Sequence, residues 1–256
     1  MKVLESIVVA FSMYSKIPMP HIEWNKENMK NVLCFFPWVG AVAGVLVWLW
    51  FRVSDQLGFG VMLRASVAVL IPVLVTGGIH LDGLLDTADA LSSWQERTRR
   101  LEILKDSHAG AFAIITACVY FILWLGAWRQ LLGDHDGICI MSIGFMMSRC
   151  LSGIGVIIFP KARTDGTVAE FSRNASEIVA RNVLAMMFAA LAVLMIWINP
   201  VRGVLAAGTA LLVFWWYHHM AMKYFGGTTG DLSGFFLCIC EVVMALVLGV
   251  SGIVVL

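Results

Sequence analysis

Three carboxylates stand out in an otherwise apolar chain: Asp82, Asp86 and Asp89, within Thr76-Gly-Gly-Ile-His-Leu-Asp-Gly-Leu-Leu-Asp-Thr-Ala-Asp89. Residues three and four apart share one face of a helix, so these acids repel one another unless a cation sits among them. Hard oxygen ligands, with no cysteine beside them and one nearby histidine, favour magnesium or manganese over zinc. The plain alternative is a solvated helix face. It is weakened by Leu81, Leu84, Leu85, Ala88 and Leu91, which give the same helix an apolar side. Gly77, Gly78 and Gly83 weaken it further, since each costs a helix about 1 kcal/mol relative to alanine and so points to a close backbone or ligand approach. His80 is the histidine with the best claim to chemistry, as a general base or as a group that orients one.

Four further segments carry polar groups. Arg97, Arg99 and Arg100 read first as a basic anchor at a membrane face, whereas Lys105, Asp106 and Ser107 lie at the entry to the next apolar run, where a cation can meet phosphate. Arg149 lies inside an apolar run and needs a partner, for which an aspartate is the natural choice; it is either a structural ion pair or a phosphate clamp. Arg163 follows in Phe159-Pro-Lys-Ala-Arg-Thr-Asp-Gly166. Last, Gly226-Gly-Thr-Thr-Gly-Asp231 offers Asp231 as a fourth metal ligand, with Glu241 deeper in the same run as either a supporting group or a helix-to-helix hydrogen bond.

The elements that must position these groups follow from composition. The 256 residues are 60% hydrophobic and 14% charged, against about 25% charged in a soluble domain. A water-soluble core cannot absorb that much apolar surface, and backbone amides in lipid must bond internally, so the long apolar runs are expected to be helices. Seven are expected: Val32 to Phe51, Ala65 to Ile79, Gly110 to Trp128, Ile138 to Phe159, Val183 to Ile198, Gly203 to Ala221 and Leu232 to Leu256. The fold class is therefore all-α, a polytopic helical bundle of about seven membrane-spanning helices, read as a single membrane-embedded domain over residues 1–256. Met1 to Met13 is apolar but contains Lys2 and Glu5, and is not read as a signal peptide. A net charge of +1 gives no hint of nucleic-acid binding, and the six cysteines show no zinc or disulfide spacing.

The basic residues orient the bundle. Lys2, Lys16, Lys26, Lys30, Arg97, Arg99, Arg100, Lys105, Lys161, Arg163, Arg173, Arg181 and Lys223 fall on one side. Only Arg52, Arg64, Arg129 and Arg202 fall on the other, which predicts a cytoplasmic N-terminus. The loops after the second, fourth and sixth spans then share the cytoplasmic face, bringing Asp82, Arg163 and Asp231 to one mouth.

With these residues in view, Gly-Gly-Ile-His-Leu-Asp-Gly-Leu-Leu-Asp-Thr-Ala-Asp, followed by Arg-Arg-Leu-Glu-Ile-Leu-Lys-Asp-Ser, closely resembles the cobalamin synthase family of adenosylcobinamide-GDP ribazoletransferases. Arg149, the stretch Phe159 to Gly166, and Gly226 to Gly234 with Glu241 fit the family's later motifs in order. The resemblance implies a magnesium-dependent inner-membrane enzyme with its active site facing the cytoplasm. It would join adenosylcobinamide-GDP to alpha-ribazole or alpha-ribazole 5'-phosphate and release GMP. The residues themselves supply a compatible mechanism: magnesium on Asp82, Asp86 and Asp89, with Asp231 as a further ligand, and Asp82 and Lys105 at the reacting centre, where either His80 or one free carboxylate takes the hydroxyl proton. Lys105, Asp106, Ser107, Arg149 and Arg163 would hold phosphates, with Glu241 behind them. The chain departs from the family pattern at His108, where arginine is usual, at Ala90, where glycine is usual, and at Cys238, where glutamate is expected.

Two rival readings rank lower. A CDP-alcohol phosphotransferase of lipid synthesis needs Ala-Arg two residues after its Asp-Gly, where this chain has Leu84, Leu85 and then Asp86. A cation-coupled transporter wants acids near the bilayer midplane on broken helices, not at a cytoplasmic mouth.

Overall fold

The computed structural model describes residues 2–106, 108–163 and 177–254. Among them are eleven helices: α1 (Lys2–Tyr14), α2 (Lys26–Met29), α3 (Val32–Gln56), α4 (Val61–Thr76), α5 (Ile79–Ser92), α6 (Arg97–Ile103), α7 (Ala111–Leu131), α8 (His135–Ile158), α9 (Glu177–Ile198), α10 (Pro200–Phe225) and α11 (Gly230–Val254). Each of the seven expected apolar stretches overlaps a helix over its described residues, the second being broken before its end. Helices α3, α7, α8, α9 and α11 are each long and apolar enough to cross a membrane. Helix α10 has the length, but Arg202, the His218-His219 pair and Lys223 make it more polar. The protein is thus a multi-pass helical membrane protein.

The second expected stretch ends earlier than its apolar pattern suggests. Helix α4 stops at Thr76, and Gly77 and Gly78 both adopt left-handed backbone, with φ of 67° and 82°. Only glycine enters that region without strain, and two in succession turn the chain sharply. Helix α5 leaves the line of α4 by 95°. It therefore runs across the line of α4 and packs mainly on α11 and α7.

The spans close around α8 and α11. Helix α8 packs on α3, α9, α10 and α11, and its small residues Gly144, Ser148, Ser152 and Gly153 are buried there. Close packing of small side chains is the usual way helices associate where lipid removes the hydrophobic drive. Aromatic residues fill the space between α7 and α8, with Trp124, Trp128 and Phe145 in mutual ring contact. At the end of the bundle away from α5, Arg202 pairs with Asp134, Asn199 donates to Asp136 at 3.2 Å, and Arg64 pairs with Asp55 at 3.0 Å.

Candidate functional site

The site begins with a contact between two helices that the sequence alone does not pair. A methyl group on Gly83 of α5 would stand 2.6 Å from the Asp231 carbonyl oxygen at the start of α11, and one on Gly234 would stand 3.0 Å from the His80 carbonyl oxygen. These two glycines let α5 and α11 touch backbone to backbone. The first turn of α11 thereby sits beside the acidic face of α5, and Asp231 joins Asp82 and Asp86.

The crowding of these acids has an electrostatic signature. Partial burial, with the negative charges of Asp82, Asp231, Asp89 and Asp106, pushes the Asp86 carboxyl up to about 7. Cations answer this charge only in part: Arg163 is close enough to act on Asp231, and its guanidinium donates to the Leu101 carbonyl of α6. Among the described residues no three His, Cys, Asp or Glu side chains form a ready metal cage.

Asp89 has a second task. Its two carboxylate oxygens accept from the backbone amides of Gly110 at 2.6 Å and Ala113 at 2.8 Å. It caps α7 from a neighbouring helix, since Gly110 offers no side chain of its own for that purpose. This fastens α5 to the mouth of the bundle while leaving each oxygen a further lone pair.

Three segments converge around this acidic group. The stretch after α8 and the loop before α11 form a short bridge, in which the Ala162 amide donates to Thr228 at 3.0 Å and the Thr228 amide to Pro160 at 2.8 Å. Lys161 turns its ammonium onto the Val156 and Phe159 carbonyls, at the free end of α8. The Tyr217 hydroxyl of α10 bonds to Thr228 and, at 3.3 Å, to Ser233, while Thr229 donates to Asp231 at 3.4 Å. Tyr217 has no special spacing in the sequence. Only its place two turns before the glycine loop could have suggested it.

The remaining expected residues divide. Lys105 and Asp106 lie at the exposed end of α6, and Asp106 accepts from the His108 amide at 3.0 Å and ring Nδ1 at 2.7 Å. That contact holds the Asp106 carboxyl below the usual range. Ser107 and the Thr164 to Ser176 segment lie outside the described residues. His80 is buried, with its ring near Phe36.

Arg149 corrects an expectation. Its partner is not an aspartate: the guanidinium is buried against Glu241, and donates also to the Phe145 carbonyl at 2.7 Å. Glu241 accepts in addition from Ser148 at 2.8 Å. A charge inside the bundle finds its counter-charge at the same depth, and the aspartates lie at the end. Cys238 is buried in the bundle too.

The site is thus an acidic face on α5 and α11, backed by Arg163, beside a cleft of about 190 Å³ that Asp82 and Asp231 help to line. The sequence profile of cobalamin-5-phosphate synthase matches residues 6–249. The chain is 44% identical over 246 residues to the adenosylcobinamide-GDP ribazoletransferase of Lachnoclostridium phytofermentans, covering 96% of this chain and 94% of that one. It is 32% identical over 228 residues to the enzyme of that name from Pseudomonas fluorescens, covering 88% and 89%. With that from Clostridium botulinum strain Alaska E43 it shares 28% over 244 residues, covering 93% and 94%. No solved structure matches the chain.

Proposed function

Because the chain belongs to the cobalamin-5-phosphate synthase family, we infer that it works as an adenosylcobinamide-GDP ribazoletransferase in cobalamin assembly. A hydroxyl of alpha-ribazole, or of its 5'-phosphate, attacks the phosphorus on the cobinamide side of the diphosphate. The bond to the bridging oxygen breaks, and GMP leaves in line. The observation that carries the assignment of this chemistry to a place is the α5–α11 contact at Gly83, which sets Asp231 beside Asp82 and Asp86.

Phosphoryl transfer of this kind needs positioning and charge neutralisation more than covalent help. Magnesium fits the donors present: hard carboxylate oxygens, mutually repelling, and open on one side. It commonly takes only one or two carboxylates together with substrate phosphates, so a closed cage is not required. Asp82 and Asp231 would hold it, with Asp89 bracing α5 on α7. When bound, the ion supplies neutralisation of the diphosphate and of the leaving GMP.

Asp86 is the group we assign to the hydroxyl proton. Partial burial and its acidic neighbours hold its carboxyl at about 7, where a carboxylate is an effective general base near neutral pH. Arg163 faces the phosphates from the side of Asp231, and Lys105 from the end of α6. Arg149, held by Glu241, supports the floor of the site.

The location follows the same logic. Lys16, Arg97, Arg99, Lys105, Lys161 and Lys223 belong to segments at the α5 end, whereas Arg52, Arg64 and Arg202 are at the other. That asymmetry supports an active site facing the cytoplasm from the inner membrane. Purified protein given adenosylcobinamide-GDP, alpha-ribazole phosphate and magnesium should release GMP, and Asp82→Ala of equal fold should not. Equal release by the two proteins would overturn the assignment of the site.

A further inference from the structure

Next to the acidic face the bundle contains a cleft between α1, α3, α5, α8 and α11 whose aromatic side takes no part in the phosphate chemistry. We propose that this cleft is the binding site for the heteroaromatic base of the acceptor nucleoside, with its ring against Phe36 and Tyr14 and its free ring nitrogen on His80 Nε2. The proposal rests on the transferase reading above.

Four observations lead to it. First, the walls are aromatic and aliphatic: the Tyr14 and Phe36 rings are 4.3 Å apart, the Phe36 and His80 rings are 5.8 Å apart at 67°, and Val156 adds hydrocarbon. Such a wall suits the face or edge of a flat ring. Second, His80 is only 9% exposed, and its Nε2 has no hydrogen-bond partner among the described residues. A buried polar atom left without a partner is costly and marks a place where a ligand completes the bond.

Third, the size is selective. An apolar cavity of about 150 Å³ holds one benzene ring, so a cleft of about 190 Å³ takes a single small ring system and not a corrin macrocycle. A benzimidazole has two ring nitrogens; the sugar occupies one, and the other accepts from His80 in the tautomer that carries its proton on Nε2. Fourth, Asp82 and Asp231 line the same cleft. A nucleoside with its base inside therefore presents its sugar hydroxyls to the acidic face, where the attack takes place.

Full-length protein in lipid nanodiscs tests this through separate KM values for the two substrates. Phe36→Leu should raise the KM for alpha-ribazole about threefold to tenfold, the range of an aromatic contact, and leave that for adenosylcobinamide-GDP unchanged. His80→Leu should act in the same direction, and His80→Gln, which keeps an amide donor, should restore most of the loss. Free 5,6-dimethylbenzimidazole should compete with alpha-ribazole and not with the corrinoid. If wild type makes product but these variants leave the ribazole KM unchanged, or shift the corrinoid KM instead, the cleft is not the base site. A wild type that releases no GMP overturns the transferase reading itself, which separates the two failures.

Discussion

Two groups of charges sit within one bundle and are treated in opposite ways. Inside it, Arg149 and Glu241 neutralise each other, with Ser148 and the Phe145 carbonyl taking further hydrogen bonds. At its end, Asp82, Asp86, Asp89 and Asp231 are gathered, with Arg163 acting on Asp231 from nearby. The bundle sets a carboxylate against its buried arginine, yet crowds four acids together at its mouth. The difference separates two uses of charge: the inner pair holds α8 to α11, and the acids at the end are the ones we propose meet a cation and a diphosphate.

If that contrast is right, breaking the inner pair should cost stability before anything else. Glu241→Gln leaves a buried arginine uncompensated, and we expect a loss of about 3–5 kcal/mol, read as a lowered unfolding midpoint in micelles. Replacing both partners by apolar residues should recover much of it. Gly83→Ala attacks the other side. Its methyl meets backbone that cannot rotate away, so overpacking should cost about 1–3 kcal/mol. GMP release should fall more steeply than stability, because Asp231 is moved from its neighbours.

These expectations rest on features of unequal legibility. The apolar runs were readable because lipid leaves the backbone no choice but helix. The acidic face was readable from spacing alone, and so was the common end of the three polar loops, from their charge. The turn at Gly77-Gly78 was not, since glycine spacing marks a cost without giving a direction. Nor was the contact of Gly83 with α11, which joins residues far apart in the chain. The partner of Arg149 was misassigned because depth in the bundle, and not richness in acids, selects it. The Ala162–Thr228 bridge and the Tyr217 hydroxyl leave no mark in composition or period. Ser107, one of the expected phosphate contacts, lies outside the described residues.

Smaller effects sharpen the same comparison. Asp89→Asn keeps the shape but loses the charge that caps α7, and should cost about 1 kcal/mol, the worth of a helix cap, in a thermal melt. A pH effect in metal-free protein sharpens the comparison too. The Asp86 carboxyl is raised in the folded state to about 7, so the folded protein holds a proton that the unfolded chain gives up. Stability should therefore fall as the pH rises from the ordinary carboxylate range through about 7. Asp86→Asn should flatten that slope, and saturating magnesium should do so as well.

The most direct measurement is the magnesium dependence of GMP release by wild type and Asp231→Asn, both folded and both saturated with the two substrates. The account holds that α11 supplies a ligand to the acidic face of α5. We expect the half-saturating magnesium concentration to rise by about tenfold or more in the variant. An unchanged magnesium requirement would contradict it.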